Sequence, residues 1–319
     1  MDKYINTVPV DLVYLWVDDT DYDWKRKINR YRDNLEKYDC DATDTCRFYN
    51  NDELKYSLRS VEKNIPWINR IFIITDEQTP DFLNTNHPKI RIVDHKEIIP
   101  ADKLPLFNSC AIESRIPFIP GLSEHFIYAN DDMFVWKPVD KSFFFTDDGK
   151  AICRLGNRLK YRKKSRHLYG HTLLEAHKKI AEKYPLDIPP HYPHHNIDAY
   201  LKSAFLNCIS EFKKEFDETL NHRFRERSDM QRIAVSFYMI AKGLAVPECV
   251  IKSWFQKYIL KQPSDSSCFH VKSSKVPQIT KTQTALLCIN DSLHTTDNDR
   301  KKIRQLLENK FPEKSSFEV

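Results

Sequence analysis

Four short apolar runs constrain this chain more than anything else in it: Val10–Val17 (VDLVYLWV), Ile71–Thr75 (IFIIT), Ile90–Val93 (IRIV) and Phe126–Ala129 (FIYA). They are rich in β-branched and aromatic residues, bounded by polar turns, and short enough to be strands buried on both faces. Between them lie stretches with helical spacing. Tyr22–Lys37 is one, and the segment after Asn50-Asn51-Asp52 is another, with Leu54, Leu58 and Val61 forming a stripe. Strands alternating with helices predict an α/β fold, a mostly parallel sheet with helices on both faces.

Composition narrows the function. The 319 residues suffice for a substantial core, and 41% hydrophobic with 12% aromatic content marks a globular protein. With only 5 glycines, neither G-x-G-x-x-G nor G-x-x-x-x-G-K occurs. A bound nucleotide must therefore be held without a glycine cradle. The 8 cysteines are scattered with no C-x-x-C, which indicates neither a zinc site nor a disulfide framework. Met1–Asn6 lacks a signal-peptide profile and no apolar run is long enough to span a membrane, so a cytoplasmic protein, at most peripheral to the membrane, is expected. The net charge of +5 is too mild for a nucleic-acid partner. It is uneven, however: Arg158–Arg166 (RLKYRKKSR) is a basic run suited to a solvated face, an anionic acceptor or lipid headgroups.

Strand ends carry the chemistry. Phe126–Ala129 stops at Asn130-Asp131-Asp132, and Val10–Val17 runs into Asp18-Asp19-Thr20-Asp21. Open α/β sheets bind ligands at the C-terminal ends of their strands, and paired carboxylates suit Mg²⁺ or Mn²⁺ on a diphosphate. The plainer alternative is an Asn/Asp turn in one case and a helix cap, through Thr20 or Asp21, in the other. Asn51 and Arg59 fall on a polar helix face. Arg47 and Arg59 have the forked geometry that reaches phosphate. Asn108-Ser109 precedes a helical pattern and offers backbone N–H groups to an anion.

In the second half, Thr172–Lys183 reads as a helix, and Pro189, Pro190 and Pro193 then forbid one. His191, His194 and His195 therefore stand on a stiff extended segment, as metal ligands, surface groups or a general base. A long amphipathic helix is predicted over Ile197–Leu220, then an arginine cluster, Arg223–Asp229, leading into a helix over Met230–Lys242. Trp254-Phe255 is assigned to the core, Cys288–Asp291 to a short strand and turn, and Asp299–Lys310 to a helix.

These stretches together resemble the Stealth family of capsular and exopolysaccharide phosphotransferases, related to the eukaryotic N-acetylglucosamine-1-phosphotransferase. Asp11–Asp21 is similar to the family's D-x-V-Y-T-W-V-D/N-G-x-D block, and Arg47–Asn64 to R-F-R-D-N-x-E-L-x-Y-S-L-R-S-I-E-K. Leu104–Glu113 matches L-P-x-F-N-S-x-A-I-E, and Ile119–Phe134 matches I-P-G-L-S-E-x-F-x-Y-x-N-D-D-x-F. His191–His194 fits H-x-P-H and Arg225–Gln231 fits R-x4-D-x-Q; Cys288–Asp291 with Phe311–Glu318 resembles the closing block. Asp19, Leu15 and Tyr49 depart from the usual glycine, threonine and acidic residue, and Asp76-Glu77 stands where Asn-Gly is common.

The resemblance implies a GT-A-like fold with a helical C-terminal portion. Residues 1–155 would form a nucleotide-sugar-binding core and 156–319 an acceptor-side portion completing one catalytic unit. It implies transfer of a hexose 1-phosphate from a UDP-sugar to a glycan hydroxyl in capsule or exopolysaccharide synthesis. Asp131 and Asp132 would hold Mg²⁺ or Mn²⁺, His194 would act as base, and Arg225 would neutralise the transferred phosphoryl group with Arg47 and Arg59. Asp18, Asp21, Asn51, Asn108, Ser109, Glu113 and His191 would shape the substrate pocket. The rivals are an ordinary sugar transferase on the same fold and a non-catalytic binder of anionic glycans.

Overall fold

The computed structural model describes residues 3–31, 42, 47–158, 168–189, 191–250 and 265–319. The basic run lies almost wholly outside them, as do Trp254-Phe255 and the end of the first predicted helix. The strands, in chain order, are β1 (Val10–Leu15), β2 (Ile71–Thr75), β3 (Ile90–Asp94), β4 (His125–Asn130), β5 (Met133–Val135), β6 (Ala151–Arg158), β7 (His191–Pro193), β8 (Asp198–Leu201), β9 (Ala245–Cys249), β10 (Ser266–His270) and β11 (Leu286–Asn290).

All four apolar runs become neighbours in one sheet of order β3-β2-β1-β4-β8. β1 is the centre, parallel to both flanks, with Leu12 opposite Ile71 on one side and Ile127 on the other. Every residue of β2 is buried, as its unbroken apolar sequence requires. The predicted α/β class with a mostly parallel sheet is what the chain adopts.

One segment departs from the expectation. Ile197–Leu220 is not a single helix: it begins as β8, antiparallel to β4, and continues as helices Lys202–Glu211 and Lys213–Asn221, broken at Phe212. The aromatic content of Asp198-Ala-Tyr-Leu201 decides this locally. Tyr200 and Phe205 stack on Phe126 at ring separations of 5.6 and 6.4 Å, which a helix continuing back to Ile197 would not allow. β8 thus joins a strand of the second half to the sheet of the first, and one hydrophobic cluster runs from Ile5 to Phe317.

The helix Glu53–Asn64 positions the turn that carries Asp131 and Asp132. Its Leu54, Leu58 and Val61 stripe is buried. Ser57, Ser60 and Asn64, at i, i+3 and i+7, share one face and hold β5 by its backbone. Ser57 Oγ donates to Met133 O at 2.5 Å, Val135 N donates to Ser60 Oγ at 3.0 Å, and Asn64 Nδ2 donates to Val135 O at 2.6 Å. Asp52 precedes this helix in a left-handed conformation, φ 64°, without capping it through its side chain. β5 also pairs with β11 in a second sheet, of order β10-β11-β5, and a third has order β7-β6-β9. Among the described residues, no helix is long and apolar enough to cross a membrane.

Candidate active site

β4 ends at Asn130 and β5 begins at Met133, so Asp131 and Asp132 occupy the tight turn between a strand of each sheet. The turn is pinned from both sides: Asp132 N donates to Asp131 Oδ1 at 3.1 Å and Ile289 N to Asp132 O at 3.0 Å. Glu53 faces this turn from the first turn of its helix, and Asp291 from the end of β11. Burial raises the carboxyls of Asp131 and Asp132, the latter to about 7, and the charges of Asp132 on Asp131 and of Glu53 on Asp132 push the same way. Glu53 is raised by burial and by Asp131. Asp132 Oδ1 is buried with no hydrogen-bond partner among the described residues. This is a floor of oxygen ligands with negative charge in excess.

Cations stand across the cavity. Arg225 Nε donates to Ser109 Oγ at 3.0 Å, so the short helix Ser109–Glu113 anchors the guanidinium at the wall. Arg232 is buried, 3.5 Å from Glu113 Oε2 and 2.8 Å from Tyr200 OH, and it also donates to Asp198 Oδ2. Burial opposes ionisation of Asp198, but Arg232 and His194 outweigh it and hold the carboxyl at about 2. Glu113 goes the other way, raised by burial despite Arg232 and Arg225. Arg47 lines the same cavity.

The histidines reach this end of the sheet because β8 is antiparallel. Asp198, its first residue, sits opposite Tyr128, near the last residues of β4. The segment just before β8 therefore arrives beside the carboxylates, not at the far end of the sheet. His194 is buried, its Nε2 2.9 Å from Asp198 Oδ1, and its Nδ1 has no hydrogen-bond partner among the described residues. His195 lines the cavity in a left-handed conformation, φ 51°, with Nε2 3.0 Å from Asn290 Nδ2 and Nδ1 3.5 Å from Tyr169 OH. Burial, with Arg232 next, lowers it to about 4.

The cavity measures about 440 Å³. Beyond the charged residues it has an aromatic side, where Trp24 packs on Phe48 and Phe107 at 5.1 and 5.9 Å. Asp131, Asp132, Arg47, Ser109, Glu113 and Arg225 of the sequence-predicted set meet here.

Others do not reach it. Arg59 is buried against Glu318, Nε and Nη2 each donating at 2.8 Å, with Nη1 on Phe311 O at 2.8 Å; its fork is spent on a carboxylate of its own chain. Asn108 is fully buried as the cap of its helix, accepting from Cys110 N at 3.0 Å and donating to Asp229 Oδ2 at 2.7 Å. Asp21 caps the helix Tyr22–Asn29 through Trp24 N at 2.7 Å. Asp18 closes its own turn on Thr20 N at 2.8 Å and accepts from Asn50 Nδ2 at 3.0 Å. Asn51 is buried behind Glu53, its N–H donating to Glu53 Oε2 at 2.6 Å and its Oδ1 accepting from Arg304. His191 rests on Gly156 O at 3.0 Å, and neither it nor the buried His194 lines the cavity. Glu53, Arg232, Asp198, Asn290 and Asp291 are functional candidates that sequence reasoning missed as site residues. Glu53 sits in a helix's first turn, where an acid needs no further reason, and Arg232 sits where a helix begins.

An acidic strand end facing arginines across one cavity, on a mostly parallel sheet, is the layout of an α/β transferase handling phosphorylated ligands. Sequence relatives narrow the class. Stealth protein conserved region 1 matches residues 8–36 and conserved region 2 matches residues 47–153. Capsular polysaccharide phosphotransferase fcs1 of Haemophilus influenzae is 38% identical over 249 residues, 76% of this chain and 68% of that protein. Capsular polysaccharide phosphotransferase LcbA of Aeromonas hydrophila is 33% identical over 317 residues, 96% of this chain and 85% of that one. The chain belongs to the Stealth family. Among solved structures, the galactosyltransferase LgtC follows a related path at 11% identity, covering 94% of this chain and 96% of its own, with a TM-score of 0.44. That likeness is too distant to bear on function.

Proposed function

We propose that this protein transfers a hexose 1-phosphate from a UDP-sugar to a hydroxyl of a capsular or exopolysaccharide glycan, forming a phosphodiester and releasing UMP. One observation carries the reading: Asp131 and Asp132 face Arg225 and Arg232 across a single cavity. Phosphoryl transfer asks for charge stabilisation on both sides of an in-line attack more than for covalent chemistry.

Asp131 and Asp132 fit Mg²⁺ or Mn²⁺. Oxygen donors suit these hard ions, and the unpartnered Asp132 Oδ1 with its raised carboxyl is what a floor lacking a counter-charge shows. Glu53 completes the acidic set, with Asp291 beside it already holding Arg300 Nε at 2.8 Å. A bound ion would supply the positive charge that holds a diphosphate against this floor.

The acceptor oxygen attacks the β-phosphorus, and the bond from that phosphorus to the oxygen bridging it to the α-phosphorus breaks. UMP leaves with that oxygen. Arg225, oriented by Ser109, balances charge on the transferred group, with Arg47 beside it. The hydroxyl proton would go to His194 Nδ1, although this ring is buried and, unlike that of His195, does not line the cavity, so that the acceptor must uncover it. Asp198 holds Nε2 and so keeps the proton-bearing nitrogen turned away, the arrangement of a base oriented by a carboxylate. Trp24, Phe48 and Phe107 offer flat faces to the uracil. The basic run would meet an anionic acceptor or the membrane face on which the polymer is assembled.

Product analysis tests the reading. With the correct donor and acceptor, the nucleotide released is UMP and phosphorus NMR finds a phosphodiester in the glycan. Stoichiometric UDP and a phosphorus-free product would assign the chain to ordinary glycosyl transfer instead.

A further inference from the structure

Cys268 and Cys288 are separated in sequence but face each other across β10 and β11, paired in parallel register. Cys288 is fully buried and Cys268 is exposed. His195 approaches the same point from the segment before β8. One ligand atom from each of the three lies within 4.8 Å of the others. The left-handed backbone of His195, uncommon for a residue with a side chain, is held with its ring fixed between Asn290 and Tyr169. The fourth side of the cluster is Asp132, whose Oδ2 accepts from Cys288 Sγ at 3.5 Å.

We infer that Cys268, Cys288 and His195 form a binding site for a zinc-class divalent ion, distinct in ligand chemistry from the carboxylate floor beside it. Two thiolates and an imidazole are the donors such ions favour, and Mg²⁺ disfavours sulfur. Tetrahedral zinc with Zn–S bonds of about 2.3 Å places sulfurs roughly 3.8 Å apart. The cluster needs only a small contraction to meet that spacing. Each ion bound displaces the two thiol protons and takes the place of one of the two hydrogen bonds on the His195 ring, and the fourth position is left to water or to the Asp132 carboxylate. The absence of any C-x-x-C spacing concealed the cluster, because strand register, not loop spacing, assembles it. The inference does not depend on the transfer reaction.

Cobalt titration of the full chain, reduced and stripped of metal, tests it. Co²⁺ bound by thiolates shows sulfur-to-metal charge-transfer absorption that oxygen ligation does not give. We expect this band to saturate at one equivalent, to be abolished by one equivalent of Zn²⁺, and to survive a hundredfold excess of Mg²⁺. Cys268→Ser, at an exposed position, at least halves the band, His195→Ala weakens cobalt binding at least tenfold, and Cys249→Ser changes neither. Cobalt binding without the band, or a band undiminished in folded Cys268→Ser protein, would overturn the inference. So would a disulfide between Cys268 and Cys288 found by mass spectrometry in reduced preparations.

Discussion

Arg59 and Glu318 are joined by two parallel hydrogen bonds of 2.8 Å, although 259 residues separate them. Both side chains are buried, at 7% and 3% exposure. The pair closes the C-terminal segment over the helix that carries Glu53, Ser57 and Ser60, and so stands behind the Asp131-Asp132 turn without touching the cavity.

Arg59→Ala should therefore damage the fold and not the chemistry. Removing one partner of a buried pair typically costs about 3–5 kcal/mol. Urea melts of Arg59→Ala and Glu318→Gln should both show that loss of stability, with KM for the nucleotide sugar unchanged in the fraction that stays folded. A KM raised tenfold or more with stability intact would return Arg59 to the substrate.

The acidic floor makes stability depend on pH in a defined direction. Asp132, at about 7 in the fold and about 4 when unfolded, binds a proton more tightly in the native state. Its protonated contribution is complete below about pH 4 and is lost as pH rises through 7. Metal-free protein should thus melt at a higher temperature near pH 5.5 than near pH 8, once the remaining groups are accounted for by the same scan on Asp132→Asn. Mn²⁺ should raise Tm at pH 8 and have little effect at pH 5.5, where protons compete for the same oxygens. An equal Mn²⁺ shift in Asp132→Asn would place the ion elsewhere.

His194→Ala should lower kcat by roughly 10²–10⁴-fold while leaving nucleotide-sugar binding nearly unchanged, as loss of a positioned base does. Asp198→Asn should produce a smaller loss, since it alters the partner of Nε2. Single-turnover rates with saturating donor make the comparison. Wild-type turnover in His194→Ala would pass the role to a group that lines the cavity.

Arg225 and Arg232 should separate by phenotype. Arg225→Ala removes a cavity-facing cation and should cost about 10²–10³-fold in kcat/KM with little change in melting temperature. Arg232→Met leaves Glu113 and Asp198 buried without their shared counter-charge, and should lower Tm as well as activity. Thermal melts run beside initial rates decide the assignment. Equal Tm losses would make both arginines supports of the wall.

The strands were readable because each buried run announced itself by composition, and the paired acids at the end of Phe126–Ala129 sit where such a fold binds ligands. Asp198–Leu201 was hidden because four residues with an aromatic and a leucine fit a helix as well as a strand, and only the partner strand decides between them. Arg59 and Asn108 misled for a related reason: a fork or an amide that can bind phosphate can equally bind a carboxylate or a carbonyl of its own chain. The thiol and imidazole cluster left no trace in the spacing because its members come from three segments brought together by pairing.

The antiparallel β8 has a consequence for how the chain can be divided. A fragment ending before Asp198 leaves β4 with an unpaired edge in an otherwise buried, apolar strand, a template for other chains to extend. The first half is thus not a portable donor-binding module: expressed alone it should aggregate, and chimeras between relatives should be cut downstream of β8, where the strand and the histidines just before it travel together.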